Sequence, residues 1–292
     1  MSRKGGAVTA AGNPIRLYSL PNVITALNLV CGNLAIVSAV EDHLTLTAYW
    51  ILAAAIFDFL DGFVARWLQK YSEIGLQLDS LADMSSFGIA PAIFTYEHVF
   101  GGFFFVSTIS LFISLFTIHR WKLMRRALLM NPVVFPRVVS SLGIDAQLTL
   151  LIEYSPLLIS IFSAFRLAKF NIDARQSDTF IGLPTPANAI FFTSLINAPI
   201  QAIPAMESFS SSPMMLLGLV LVFSALLISE ISMFSMKFKT FDVQPNLVRY
   251  LFILLSLLLL FLYRSGALSI IIIAYLVVSS SIALAQRSNG MA

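Results

Sequence analysis

The sequence predicts an all-α, polytopic membrane helix bundle of about eight transmembrane helices with both termini in the cytoplasm. Three observations carry that reading. Of 292 residues, 58% are hydrophobic and 11% charged, against roughly half and a quarter in soluble domains. The apolar residues fall in runs of about 20, the length of a spanning helix, and not in the alternating ~10-residue segments of a barrel. Lys and Arg gather at alternate ends of those runs, as cytoplasmic loops require. The net charge of +3 is too small a bias to argue a nucleic-acid partner, and the basic residues have a simpler use at membrane borders. The single cysteine, Cys31, excludes a disulfide framework and any Cys-based metal site.

Residues 1–15 contain no apolar run and are expected to form a disordered tail. No cleavable signal peptide is expected, because the first apolar run opens only near Leu17 and is long enough to span. Arg3, Lys4 and Arg16 hold the start of the first span, Leu20–Val40, inside. The turn Glu41-Asp42-His43 has no Lys or Arg and lies outside. The second span, Thr45–Leu68, returns to a cytoplasmic end at Arg66 and Lys70, and Leu78–Tyr96 leaves again. Ser155–Phe170 closes on Arg166, Lys169 and Arg175. Pro186–Ile203 leads to a turn around Ala205–Ser212 without Lys or Arg. Met214–Phe234 comes back to Lys237, Lys239 and Arg249. Leu247–Tyr263 and Leu268–Ala285 complete the set, with Arg287 inside and Arg264 the one exception. Gly101–Ile118 is apolar enough to span, but a ninth crossing would put Lys169, Arg175, Lys237 and Lys239 outside. A re-entrant or interfacial helix in an insertion over 97–154 is preferred, with a pair of true crossings as the alternative. The core therefore covers 16–203, and 204–292 adds C-terminal transmembrane helices.

The chemistry is concentrated in residues 58–83. Asp58, Asp61, Asp79 and Asp83 lie in or beside spanning helices, where an ionised carboxylate costs several kcal/mol unless paired or metal-bound. Asp58 and Asp61 stand three apart and share one helix face with Gly62 and Ala65; Asp79 and Asp83 stand four apart on the next helix. The two helices are expected to be antiparallel neighbours whose carboxylates meet near the cytoplasmic border. Four carboxylates that close repel unless cations lie between them, and oxygen ligands without His or Cys select Mg²⁺, Mn²⁺ or Ca²⁺. A two-metal site suits phosphoryl displacement. Arg66 stands about one turn on and can fork onto a phosphate. Gly75 permits a tight turn or a close approach. Two other readings stay open on spacing alone: acids on polar faces at helix borders, and an acid cluster that relays ions or protons in a transporter.

The string Asp-x-x-Asp-Gly-x-x-Ala-Arg, eight residues, Gly-x-x-x-Asp-x-x-x-Asp is complete here, as Asp58, Asp61, Gly62, Ala65, Arg66, Gly75, Asp79 and Asp83. It resembles the signature of the CDP-alcohol phosphotransferase family, whose members transfer a phosphatidyl or similar group from a CDP-linked lipid to an alcohol and release CMP. Leu20-Pro21-Asn22-Val23-Ile24-Thr25-Ala26-Leu27-Asn28 with Cys31-Gly32, the extension of the motif over Asp79–Pro91, and Phe165-Arg166-Leu167-Ala168-Lys169-Phe170-Asn171 with Gly182-Leu183-Pro184-Thr185-Pro186-Ala187 resemble its membrane-embedded, serine-accepting branch. The resemblance covers most of 17–200 apart from the insertion.

What the resemblance implies can be placed residue by residue. Asp58, Asp61 and Asp79 would hold one divalent ion, Mg²⁺ or Mn²⁺, and Asp58, Asp79 and Asp83 a second, with Asp83 also the general base. Gly62, Arg66 and Ser72 would contact the CDP-lipid, and Asn22 and Thr25 would lie near the nucleotide. The substrates would be CDP-diacylglycerol from the surrounding membrane lipid and L-serine. Serine's carboxylate wants a cation or backbone donors, so Arg166, Lys169 and Asn171, at a cytoplasmic helix end, are candidates for the acceptor. Positive-inside anchoring explains Arg166 and Lys169 equally well. Glycerol 3-phosphate and inositol are the rival acceptors. The last two spans carry no chemistry that can be read, and a homodimer interface or the lipid entry is their expected use.

Overall fold

The computed structural model describes residues 19–69, 72–99, 151–173, 180–197, 210, 212–233 and 243–288. Helix α1 (Leu20–Val40) opens on Ser19, whose Oγ accepts from the Asn22 N–H at 3.4 Å, with Pro21 in the first turn where its missing N–H is no loss. Its faces are sorted for lipid. Asn22, Thr25, Asn28, Gly32, Ala35 and Ala39 are buried, whereas Leu20, Val23, Leu27, Val30, Leu34 and Val37 are exposed. Small and polar residues inside let helices approach closely, which is the packing logic of membrane bundles. The turn at Glu41–His43, with Asp42 at φ 66°, reverses the chain into α2 (Leu44–Trp67), which packs along α1.

Helix α3 (Glu73–Asp83) begins before the hydropathy of the third run rises. Its start is set by Ser72, whose Oγ accepts from the Gly75 N–H at 3.0 Å. It widens into a π-helical turn, Met84–Ile89, and continues as α-helix through residues 90–99. The expected pairing of the two Asp-bearing helices is not how the chain packs: α3 rests chiefly on α1, and the π turn rests on residues 157–172 as well as on α1, so α1 backs both carboxylate helices and a gap remains between them. Like charges on facing helices favour that gap.

After helical residues 151–154 and a turn at Ser155–Pro156 comes α4 (Leu157–Ile172). Helix α5 (Thr185–Asn197) follows a two-residue strand β1 (Phe180–Ile181), and α6 (Pro213–Ile228) precedes β2 (Ser232–Met233). The two strands pair antiparallel, Phe180 opposite Met233 and Ile181 opposite Ser232. This corrects the sixth expected span, Met214–Phe234. The helix stops at Ile228 because Ser229 is extended (ψ 154°) and the apolar residues after it dock on the 180–183 segment. Helix α7 (Val243–Tyr263), a 3₁₀ turn (Arg264–Gly266) and α8 (Ala267–Ser288) close the chain.

Among the described residues, five helices are long and apolar enough to cross a membrane, Leu20–Val40, Leu44–Trp67, Leu151–Ile172, Asn246–Tyr263 and Ala267–Leu284, and two shorter apolar helices accompany them. The chain is thus the all-α polytopic membrane protein expected. The 1–15 tail, the Gly101–Ile118 run and the basic segment after it lie outside the described residues.

Two packed clusters position the site. Ala35, Ile51, Ala54, Phe87, Ala90 and Ala189 join α1, α2, the π turn and α5 just beneath Asp58 and Asp83. The second, between α4, α5 and α6, is built on Phe191 stacked on Phe223 at 3.8 Å between ring centroids, with Phe192 edge-on at 5.7 Å.

Candidate active site

The four aspartates converge. Carboxylate oxygens of Asp58, Asp61 and Asp79 lie within 4.8 Å of one another. Asp61 is 6% exposed and Asp83 9%. The helix spacing explains the gathering, since residues three or four apart present to the same side. Asp61 Oδ2 and Asp79 Oδ1 are buried and have no hydrogen-bond partner among the described residues. Buried carboxylate oxygens left without donors are costly and uncommon. Oxygen-only ligands of this kind fit a hard divalent cation, which would satisfy both orphaned atoms.

Asp83 is held from α1. Asn28 Nδ2 donates to Asp83 Oδ1 at 3.2 Å, while Ser86 Oγ donates to Asn28 Oδ1 at 2.7 Å with the Asn28 carbonyl 3.1 Å away. Ser86 thereby fixes which way the Asn28 amide faces. The π turn brings this hydroxyl to α1, and Gly32 makes the approach possible: a Cβ there would lie 2.3 Å from Ser86 Oγ and 2.9 Å from its backbone. A π turn at a functional site is a recurrent device. Ser85 Oγ donates to Asn33 Oδ1 at 2.9 Å and ties the same two elements.

A cavity of about 410 Å³ opens over the carboxylates. Asp58, Asp61, Asp79 and Asp83 form one side, with Gly62 and Arg66. The Arg66 guanidinium folds back over Gly62, where a Cβ would be 3.4 Å from Nη1. Arg166, Leu167 and Phe170 of α4 and the Pro184–Pro186 entry to α5 complete the lining, with Phe59 as a further apolar member. Arg166 is 3% exposed, its Nε donates to the Leu183 carbonyl at 3.2 Å, and it lies 5.6 Å from the Phe170 ring centre. That carbonyl is itself braced: Gly182 N–H donates to Ile231 O at 2.9 Å and Leu183 N–H to Leu226 O at 3.0 Å. Gly182 has φ +76°, and a Cβ would meet the Leu227 and Ser229 carbonyls at 2.9 Å. Only glycine adopts this conformation in this space without strain.

The other sequence candidates occupy surrounding positions. Asn22 and Thr25 are buried on the inner face of α1; the Thr25 hydroxyl faces Asp61 and donates to the Pro21 carbonyl at 3.0 Å. Ser72 caps α3. Gly75 does not make a tight turn; it lies in the first turn of α3 where a Cβ would crowd Ser72 Oγ at 2.9 Å and Asn22 Oδ1 at 3.0 Å. Lys169 pairs with Glu230, and Asn171 Nδ2 donates to Ser80 Oγ at 2.9 Å; neither lines the cavity. The structure adds Asn28 and the Pro184–Pro186 rim to the site. Asn28 had a signal in the sequence, since it continues the polar face of Asn22 and Thr25.

A sequence model of the family described as CDP-alcohol phosphatidyltransferase matches residues 18–137, which include all four aspartates. The protein named CDP-diacylglycerol–serine O-phosphatidyltransferase of Helicobacter pylori strain J99 is 28% identical over 263 residues, 89% of this chain and 89% of its own length. That of Bacillus subtilis is 30% identical over 167 residues, 57% of this chain and 69% of its own. That of Saccharomyces cerevisiae is 39% identical over 106 residues, 34% of this chain and 38% of its own. With the signature complete, its carboxylates gathered at one cavity, the family model matched across it and a relative 30% identical over 69% of that relative's length, the chain belongs to the CDP-alcohol phosphatidyltransferase family.

Proposed function

We propose that the chain is a multi-pass membrane enzyme that transfers the phosphatidyl group of CDP-diacylglycerol to the hydroxyl of L-serine and releases CMP. The observation that carries this reading is the meeting of four carboxylates and two guanidiniums, Arg66 and Arg166, at one cavity among lipid-facing helices. The names of the relatives support the donor and the acceptor. The distribution of Lys and Arg supports a cavity that faces the cytoplasm.

Asp58, Asp61 and Asp79 would hold one divalent ion, and Asp58, Asp79 and Asp83 a second, Mg²⁺ or Mn²⁺. Such ions, when bound, neutralise phosphate charge and acidify a coordinated hydroxyl. The rest of the work falls to the chain. Arg66, folded over Gly62, forks onto the diphosphate. Phe59, Leu167 and Phe170 give the cavity an apolar edge for the lipid end of the donor. Arg166 holds the serine carboxylate. Asp83, oriented by Asn28, takes the proton of the serine hydroxyl as its oxygen attacks the lipid-side phosphorus. The new bond is serine oxygen to phosphorus, and the bond that breaks is from that phosphorus to the oxygen of departing CMP.

The test is CMP release from CDP-diacylglycerol by the purified protein in detergent with Mg²⁺ or Mn²⁺, offering serine, glycerol 3-phosphate and inositol separately. Release with serine alone, lost on chelation, is expected. Release with another alcohol only would keep the reaction and overturn the acceptor, and metal-dependent ion flux without CMP would favour a transporter.

A further inference from the structure

Beneath the cavity lie two polar side chains that the mechanism above does not use. Asn188 is fully buried, and neither Oδ1 nor Nδ2 has a hydrogen-bond partner among the described residues. Ser163 is also fully buried, and its Oγ is likewise without a partner. Each stands one helical turn below a residue that lines the cavity: Asn188 follows Thr185 by three in α5, and Ser163 precedes Arg166 by three in α4. The π turn closes the layer from the side of Asp83, where a Cβ on Gly88 would lie 3.2 Å from Ser163 Cβ.

A buried amide with no partner at either atom is rare enough in native proteins to require an explanation. Lipid tails offer no hydrogen bonds. The same helix enters the cavity rim at Pro184–Pro186, one turn from Asn188.

We propose that Asn188 and Ser163 form the acceptor-reading end of the cavity and take up the ammonium and carboxylate of a small amino-acid alcohol. The inference rests on the proposed phosphatidyl transfer and deepens it by naming what selects the acceptor. An amide presents an acceptor oxygen and an N–H₂ donor pair side by side. An ammonium needs acceptors and a carboxylate needs donors, and serine carries both on one carbon. Asn188 Oδ1 and Ser163 Oγ accept from the ammonium; Asn188 Nδ2 donates to the carboxylate, which Arg166 also faces. Both side chains are sealed in this structure, so the acceptor enters by displacing the first turn of α5. An acceptor without an ammonium leaves Oδ1 buried and unpaired, and that loss discriminates against it.

The experiment uses the full-length protein in detergent with Mg²⁺ or Mn²⁺. KM for serine and for CDP-diacylglycerol is measured for the wild type, Asn188→Leu and Ser163→Ala, together with each protein's thermal transition. Asn188→Leu is expected to raise the serine KM about tenfold or more and leave the CDP-diacylglycerol KM within about twofold. Ser163→Ala, which changes little volume, is expected to raise the serine KM about threefold or more. 3-Hydroxypropionate, which lacks the ammonium, should inhibit the wild type much more weakly than serine binds, and Asn188→Leu should erase that preference. An unchanged serine KM in either variant overturns the proposal. So does a parallel rise of both KM values with a lowered thermal transition, which marks a packing role. Should Asn188→Leu fail to fold, Ser163→Ala decides. A wild type that releases no CMP with serine overturns the functional reading itself, whereas an active wild type with indifferent variants overturns this inference alone.

Discussion

Asn28, on the first helix, donates to Asp83 Oδ1 at 3.2 Å across 55 residues of sequence, and the amide that does so is aimed by Ser86, three residues beyond Asp83. The relationship makes α1 part of the active site. A residue that orients a catalytic carboxylate without touching substrate should act on turnover more than on binding. Asn28→Leu is therefore expected to lower kcat about 10- to 100-fold with both KM values little changed. Steady-state CMP release at saturating substrates measures it, and a fall in KM-limited rate alone would put Asn28 in substrate binding instead.

Asp83→Asn tests the base directly. The substitution preserves size and removes the proton acceptor, so turnover should fall by about 10²-fold or more while CDP-lipid binding persists. Equilibrium binding of radiolabelled CDP-diacylglycerol beside the activity assay separates the two. Full activity in this variant would refute the assignment.

Much of this architecture was legible in the sequence, and the parts that were not have physical reasons. The spacing of Asp58 with Asp61 and of Asp79 with Asp83 implied two carboxylate-bearing faces because helix periodicity is strict. That these helices rest on α1 instead of on each other was not legible, since hydropathy says nothing of which helix backs which. The start of α3 was missed because a Ser72 cap sets it, several residues before the apolar run. The end of α6 was missed because Ile231 and Met233 are as apolar as any helix residue and are spent on a strand pairing with a distant segment. Arg166 and Lys169 read alike in sequence, three apart at one helix end, and only packing distinguishes them.

Gly32 offers a test of the α1 contact that does not involve catalytic chemistry. Gly32→Ala places a Cβ 2.9 Å from the Ser86 backbone, so the π turn must move. Overpacking of this kind costs about 1–3 kcal/mol. The thermal transition of the purified protein in detergent should fall, and Asp83 should lose its orientation with it. Ala at Gly218, which has no atom within 4 Å of its Cβ position, is the control and should leave the transition in place.

Gly182 tests the brace behind Arg166. With φ +76° and two carbonyl oxygens 2.9 Å from any Cβ, alanine there strains the backbone by about 1–3 kcal/mol. Relieving the strain shifts the backbone at the next residue, Leu183, whose carbonyl holds Arg166 Nε. Gly182→Ala is thus expected to raise the serine KM in the surviving folded protein, an effect on the acceptor transmitted from the end of α6. An unchanged serine KM would mean that Arg166 keeps its place without the brace.

Arg166 and Lys169 give the sharpest contrast, because the sequence treats them as equivalent and the structure does not. Arg166 is buried against the cavity, donates to Leu183 O and stacks near Phe170; Lys169 is partly exposed and pairs with Glu230. A guanidinium that faces the acceptor's carboxylate contributes about 1.5–3 kcal/mol to holding it, whereas an exposed ion pair contributes about 0–1 kcal/mol to stability. Arg166→Ala should accordingly raise the serine KM by about 10- to 100-fold with the CDP-diacylglycerol KM unchanged. Arg166→Lys should recover little of it, since an ammonium cannot both donate to Leu183 O and present a planar fork to a carboxylate. Lys169→Ala should change the serine KM far less than Arg166→Ala does. Equal effects of the two alanine substitutions would show that both act through the charge of the helix end, and the assignment of Arg166 to the acceptor would fall.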